Sequence, residues 1–169
     1  SGNSATTPVQ TVTIDTTPPT AGTLSLSNFT DSGSSATDNI TNDNTFDLTI
    51  SGQETGSTVV YQISTDGGVT WTTTTANQSA ITDGTYSFRA TVTDSAGNSA
   101  TTPVQSVTID TTPPTAGTIS LSNFTDSGSN TTDNISNDNT FDLTISGNEA
   151  GSTVVYQIST DGGVTWTTT

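Results

Sequence analysis

The chain has no cysteine, methionine, histidine or lysine, and its single basic residue, Arg89, stands against 16 acidic ones. Without cysteine no disulfide can staple a small core, which leaves bound metal or stacked neighbours for that purpose. Without histidine, cysteine and lysine, the Ser-His-Asp, Cys-His and Schiff-base arrangements cannot be assembled within the chain. No phosphate loop or cofactor fingerprint is present, so the residues that remain point away from an enzyme. A formal charge of −15 opposes binding to nucleic acid or to anionic membranes, because a polyanion gains nothing from counterion release or surface attraction. No run of roughly 20 apolar residues, as a membrane-spanning helix needs, and no signal peptide occurs, so direct membrane insertion is not expected. Hydrophobic residues make up only 27% of the chain, a low fraction for a packed core, but they fall in regular strand patterns.

What is present is a repeat. Residues 1–74 recur as residues 96–169 at a constant offset of 95, and only eight of the 74 paired positions differ, among them Leu24/Ile119, Ser35/Asn130, Thr41/Ser136 and Gln53/Asn148. A fixed period marks one structural unit reused in series. Both copies carry "VTIDTTPPTAGT", at 12–23 and 107–118. Proline lacks an N–H and fixes φ, so Pro18-Pro19 and Pro113-Pro114 should end a strand and stiffen a short linker. The expected organisation is residues 1–14 as the last strand of a preceding repeat, 15–109 as a complete repeat, and 110–169 as an incomplete following repeat, the whole being a stretch of a longer array.

Within the complete repeat the alternation of apolar and polar residues predicts about seven short strands and no helix. The clearest are "TFDLTIS" (Phe46, Leu48, Ile50), "TVVYQIS" (Val59, Tyr61, Ile63) and "TYSFRATV" (Tyr86, Phe88, Ala90, Val92). Around them lie "GTLSLS", "VTWTTT" with Val69 and Trp71, a weak strand near 79–81, and "VQSVTI" with Val107 and Ile109. Asp66-Gly67-Gly68 reads as a tight hairpin between the Tyr61 and Trp71 strands. Seven strands in about 95 residues, with turns every 8–12, predict an all-β fold of tandem immunoglobulin-like sandwiches joined by Pro-Pro linkers, here without the cysteine pair of antibody domains.

"TVTDSAGNSATTPVQSVTIDTTPPTAGT", "TDSGSSATDNITNDNTFDLTISG" and "STDGGVTW" together resemble the bacterial Ig-like tandem repeats (extender domains) of very large secreted adhesins, including repeats-in-toxin and biofilm-associated surface proteins. The resemblance covers the whole chain. It implies a spacer on the bacterial cell surface, strung between an anchored end and a ligand-binding tip. Ca²⁺ would stiffen its domains and linkers, and its partners would be neighbouring repeats of the same chain. Any glycan or protein ligand would then belong to a distal domain outside these residues.

The carboxylates lead toward the same cation. Strands of an Ig sandwich run alternately down and up, so the first loop, the fifth loop and the end of the last strand share one pole. These carry Asp31, Asp38 and Asp43, then Asp83, then Asp110. Loops two and six share the other pole and carry Glu54 and Asp94, facing Asp15 of the preceding linker. The second copy supplies Asp126, Asp133, Asp138 and Glu149. Carboxylates with Asn39, Asn44 and backbone carbonyls nearby, and no nitrogen or sulfur ligand, form a hard-oxygen set suited to Ca²⁺ rather than Zn²⁺.

For any single Asp, turn chemistry and metal ligation both stay open. The first-loop trio is read as metal-binding, because three acids and no base in thirteen residues repel one another. Asp66 and Asp161, in "TDGG" hairpins, are read as turn residues, Asp47 and Asp142 as solvated mid-strand positions, and Trp71 and Tyr61 as core rather than a sugar-stacking platform. A paired-carboxylate hydrolase would need a cleft that thin duplicated sandwiches do not offer. The expected function is a Ca²⁺-stabilised spacer of a long extracellular adhesin or surface fibre, serving adhesion and biofilm formation. The alternatives are a glycan- or protein-binding Ig-like module, which two near-identical copies would serve only through avidity, and a filament component whose repeats exchange strands.

Overall fold

A computed structural model describes residues 1–169, which form β-strands and connections without any helix. It divides into two compact units, Ser1–Thr112 and Pro113–Thr169.

The first unit contains β1 (Thr23–Ser27), β2 (Ile40–Thr41), β3 (Phe46–Ser51), β4 (Thr58–Ser64), β5 (Thr72–Thr74), β6 (Asn77–Gln78), β7 (Gly84–Thr93), β8 (Ser99–Thr101) and β9 (Gln105–Ile109). One sheet has the order β1-β3-β6. The other has the order β2-β9-β7-β4-β5, with β8 also paired to β7. All pairings are antiparallel except β2 with β9. The register sets Leu24 opposite Ile50 and Leu26 opposite Leu48 in the first sheet, and Val59, Tyr61 and Ile63 opposite Val92, Ala90 and Phe88 in the second.

Because side chains alternate across a strand, one face of each sheet is apolar, and the two faces share a single core. Leu24, Phe46 and Leu48 from the first sheet pack with Phe88, Ala90, Val107 and Ile109 from the second. Phe46 lies edge-on to Phe29 at 5.5 Å and to Phe88 at 5.7 Å. The buried hydroxyl of Thr102 accepts the Ala90 N–H at 3.0 Å, and the Thr102 N–H donates to the Ala90 carbonyl at 2.9 Å. These bonds satisfy polar groups beside the core that burial would otherwise penalise. Gly22 holds φ at +75° where the linker meets β1, and a Cβ there would sit 2.6 Å from the Gln53 nitrogen.

The second unit contains β10 (Thr118–Ser122), β11 (Asp142–Ser146), β12 (Gln157–Ile158) and β13 (Thr167–Thr168). They pair only as β10 with β11 and β12 with β13. The unit has no counterpart of β6–β9. Phe141, the counterpart of Phe46, is 48% exposed, against 1% for Phe46 itself.

Residues 1–14 carry no strand and are exposed throughout; their counterparts at 96–109, which differ at Ala96 and Ser106, form β8 and β9 against β7. The structure departs from the sequence expectations in two places. Val69, expected in a strand, is 81% exposed, because the connection from β4 to β5 takes up residues 65–71. The weak strand expected near 79–81 forms at Asn77–Gln78 instead, where it pairs with Phe46 and Asp47.

Candidate functional site

The first loop, between β1 and β3, is folded by its own acids. Asp31 Oδ2 accepts the Asn39 N–H at 3.0 Å and Asp38 Oδ1 accepts the Ile40 N–H at 3.1 Å. Asp43 takes the N–H of Thr30 at 2.8 Å and of Thr45 at 3.1 Å, one on each oxygen. The Thr41 hydroxyl donates to the Thr30 carbonyl at 2.6 Å. Asp and Ser favour such short-range side-chain to backbone bonds, which replace a ladder in an irregular segment. The second copy repeats the pattern through Asp126 to Asn134, Asp133 to Ile135, and Asp138 to Thr125 and Thr140. Backbone N–H groups of Thr140 and Thr125 hold the Asp138 carboxyl below its ordinary pKa.

Asp83 and Asp110 meet around the start of the linker. Asp83 accepts from the Thr111 hydroxyl at 2.7 Å, the Thr111 N–H at 2.9 Å and the Thr112 hydroxyl at 2.8 Å. These bonds, led by the Thr111 hydroxyl, depress its pKa. The Asp110 N–H donates to the Thr41 carbonyl at 2.8 Å, extending the β2–β9 pairing. Its carboxylate accepts the Thr112 N–H at 3.1 Å. Asp110 therefore borders a shallow recess with Ser32, Gly33, Ile40, Thr41 and Asn42 of the first loop.

At the opposite pole Asn98 joins two of the expected acids. Its side-chain amide donates to Asp94 Oδ2 at 2.9 Å and to the Asp15 carbonyl at 3.1 Å. Asp94 also accepts the N–H of Ala96 and Asn98, and the Asn98 amide is the main cause of its lowered pKa. Glu54 and Glu149 meet the linker through their backbones, each donating its N–H at 3.0 Å, to the Thr20 and Thr115 carbonyls respectively.

The carboxylates thus lie in the loops expected of them, but no three acidic side chains converge on one point. The reason is local: most are turned toward backbone N–H groups within a few residues. By donor type the loops suit a hard cation. The one orphaned acceptor recurs in both copies, since Asp31 Oδ1 and Asp126 Oδ1 are buried without a hydrogen-bond partner. The arrangement supplies single carboxylate oxygens, not a cage of carboxylates.

Several residues do more than the sequence suggested. Asp47, expected to be solvated, accepts the Asn77 and Asn28 amides at 2.9 and 2.6 Å, and these bonds, led by that of Asn77, lower its pKa. The hairpin after β4 is a closed hydrogen-bonded unit. The buried Ser64 hydroxyl donates to Asp66 at 2.7 Å and accepts the Gly68 N–H at 2.8 Å. Asp66 accepts the Val69 N–H at 3.0 Å and the Thr70 N–H and hydroxyl at 2.9 and 2.5 Å. The Thr70 hydroxyl leads in pulling the Asp66 pKa down to about 2. Gly67 and Gly68 supply the two positive φ values, +74° and +90°. The Trp71 indole N–H closes on the Gly68 carbonyl at 2.9 Å.

Arg89 lies over the Trp71 ring at 4.1 Å and donates to Gln62 at 2.8 Å. The one cation of an acidic chain thus braces this hairpin instead of pairing with a carboxylate. Its spacing, eighteen residues past Trp71 on another strand, gave no signal of this. Tyr61 packs against the core as expected, whereas Trp71, expected there too, lies outside it, under Arg89 and tied to the Gly68 carbonyl. The same bonds recur through Ser159, Asp161, Thr165 and Trp166, with Asp161 likewise depressed by the Thr165 hydroxyl.

Residues 17–111 match the sequence profile of a family described as bacterial Ig-like domain. The span coincides with the nine-stranded sandwich and the linkers that flank it. Residues 157–168 match the profile of the BNR/Asp-box repeat, a match that falls on the Ser159–Asp161–Trp166 hairpin and the two strands beside it. The identical twelve residues stand at 62–73. No curated protein matches the chain.

Proposed function

The chain belongs to the bacterial Ig-like domain family, and on that footing we propose that it is a structural spacer of a long extracellular adhesin or surface fibre. In this role it holds a distal adhesive domain away from the bacterial cell in adhesion and biofilm formation. The observation that carries the proposal is how the sandwich treats the chain entering and leaving it. On entry Asn98 binds the Asp15 carbonyl, Pro19 is buried and Thr20 accepts the Glu54 N–H. On exit Asp83 binds Thr111 and Thr112 through three hydrogen bonds. Tying down both linkers loads a domain in series and restricts swivelling at its ends, which a spacer needs and an isolated recognition module does not. No helix is long and apolar enough to cross a membrane, and without histidine, cysteine and lysine the Ser-His-Asp, Cys-His and Schiff-base arrangements cannot be built from these residues.

Ca²⁺ is the cation these oxygen-only loops would take, with Asp31 and Asp126 presenting the buried, unpartnered carboxylate oxygens. Bound there, it would neutralise charge in a chain of −15 and add to folding stability by mass action. The test is small-angle scattering and thermal melting of the chain in millimolar Ca²⁺ and in excess EDTA. A rise in Tm with Ca²⁺ and a stiffer scattering profile are expected. Indifference of both to Ca²⁺ would remove the metal from the proposal, and a flexible profile in both buffers would remove the spacer.

A further inference from the structure

An aspartate followed by glycine is chemically labile, because a glycine has no β-carbon to crowd the approach of its backbone nitrogen to the aspartate Cγ. The chain holds three such pairs, Asp66-Gly67, Asp83-Gly84 and Asp161-Gly162. All three carboxylates accept hydrogen bonds on both oxygens, but their donors come from different places. Asp66 and Asp161 are held from within their hairpins, by Ser64 and Thr70 in one and Ser159 and Thr165 in the other, with no donor more than four residues away. Asp83 is held from without. Its three donors are the Thr111 N–H, the Thr111 hydroxyl and the Thr112 hydroxyl, 28 and 29 residues further on in the exposed linker.

The position of Asp83 adds to the contrast. Gly84 begins β7 opposite Ile109, the last residue of β9, so Asp83 stands just beyond the end of a ladder. Ladder ends and the chain beyond them open at the lowest free energy of a fold. Opening here removes all three donors at once, whereas a hairpin with its donors beside it recloses on them. Gly84 holds φ at +151°, a backbone region that glycine enters freely and other residues do not, so the turn into β7 requires the labile pair.

We propose that Asp83 is the site at which this chain undergoes spontaneous isoaspartate formation, the reaction being gated by Thr111 and Thr112 of the linker. With those residues lifted away, the Gly84 nitrogen bonds to Cγ of the protonated Asp83 carboxyl, and the amide proton and the carboxyl hydroxyl leave together as one water. The product is a succinimide. A second water then opens the ring. Attack at Cγ restores aspartate, and attack at the main-chain carbonyl leaves the peptide bond running through Cγ, with the carboxylate now on Cα. No oxidant or cofactor enters. The hydrogen bonds from Thr111 and Thr112 oppose the reaction by holding the side chain in one rotamer and by favouring the ionised form, which cannot lose water in this way. Isoaspartate adds one main-chain atom before β7 and displaces the carboxylate, so the three bonds to the linker are not remade and the exit from the sandwich stays loosened.

The test stores the whole chain at neutral pH below its melting transition and follows each site by Asp-N digestion, which cuts before aspartate and not before isoaspartate, with mass spectrometry of the uncut peptides. In urea the three sites should convert at similar rates, which sets the scale. In the folded chain Asp83 should convert severalfold faster than Asp66 or Asp161. Joint replacement Thr111→Val and Thr112→Val should raise the Asp83 rate about threefold or more, since two of its hydrogen bonds are lost, and leave the other two sites unchanged. The conservative pair Thr111→Ser and Thr112→Ser, which keeps both hydroxyls, should stay near the parent rate. Conversion of Asp66 or Asp161 as fast as Asp83 in the folded chain would overturn the proposal. So would an unconverted Asp83 over a period that converts all three sites in urea, or equal Asp83 rates in the valine and serine chains.

Discussion

Replacing Phe46 and, separately, Phe141 with alanine sets one residue type in one sequence context against two degrees of burial. Phe46 is 1% exposed, with ring contacts to Phe29 and Phe88 at 5.5 and 5.7 Å. Truncating a fully buried phenylalanine costs about 3–5 kcal/mol through lost transfer energy and the cavity left behind. A domain of this size has a total stability of about 5–15 kcal/mol and loses roughly 4–8 °C of Tm per kcal/mol, so F46A should lower the main transition by at least about 12 °C. Phe141 is 48% exposed and keeps one ring contact, to Phe124 at 5.8 Å. Removing it gives up about 1 kcal/mol or less, the scale of one aromatic pair. Calorimetry of the two variants, with urea unfolding at constant m-value as a check, reads the difference directly. Equal losses, or a larger loss for F141A, would refute the placement of the core between the two sheets of the first unit.

Three further outcomes follow from the geometry. Gly22→Ala should destabilise the first unit by about 2 kcal/mol or more, since φ is +75° and the new Cβ would press on the Ser51–Gln53 backbone; a melt unchanged from the parent would count against that linker geometry. Arg89→Met should remove the cation from the Trp71 face at a cost of about 0.5–1 kcal/mol and alter Trp71 fluorescence, whereas an unaltered emission spectrum would place the guanidinium elsewhere. Asp66, Asp83 and Asp94 all bind their protons less tightly folded than unfolded. Their stabilisation is therefore complete above the ordinary aspartate pKa of about 3.9 and is lost as pH falls through the folded values, that of Asp66 being about 2. Melts in about 0.5 M salt, where screening to roughly 4 Å suppresses general repulsion, should show Tm falling from about pH 4 toward pH 2. Asp66→Asn should start lower at pH 7 and fall less steeply, and a Tm that holds or rises into acid would contradict the assigned bonds.

The core was legible because alternation reports burial directly. Phe46 and Leu48 in β3, and Phe88, Ala90 and Val92 in β7, were readable as inward-facing residues, and all five are buried. β2 and β8 left no readable pattern, since strands of two or three residues exist only through their partners β9 and β7. Val69 misled because a β-branched residue beside tryptophan suits a strand, yet Asp66 captures the Val69 N–H and keeps it in the turn. The poles of the acidic residues followed from strand direction. Which way each carboxylate faces did not follow, because a nearby backbone N–H competes for it more effectively than a distant loop.

The repeat separates what the sequence determined from what tertiary structure decided. The loops at 30–45 and 125–140 and the hairpins at 64–71 and 159–166 adopt the same hydrogen bonds in a covered unit and in an open one. The bonds the two copies share span at most thirteen residues and need no distant partner, so the sequence alone fixes them, whereas in the first unit the loop also accepts the N–H groups of Ile81, Thr108 and Asp110 from far along the chain. The strands behave otherwise. β2 is a strand only where it pairs with β9, and β6 only where it pairs with β3. A strand's N–H and C=O groups, and its apolar face, must be satisfied by chain far away in sequence, and which chain does so is decided only by the tertiary structure.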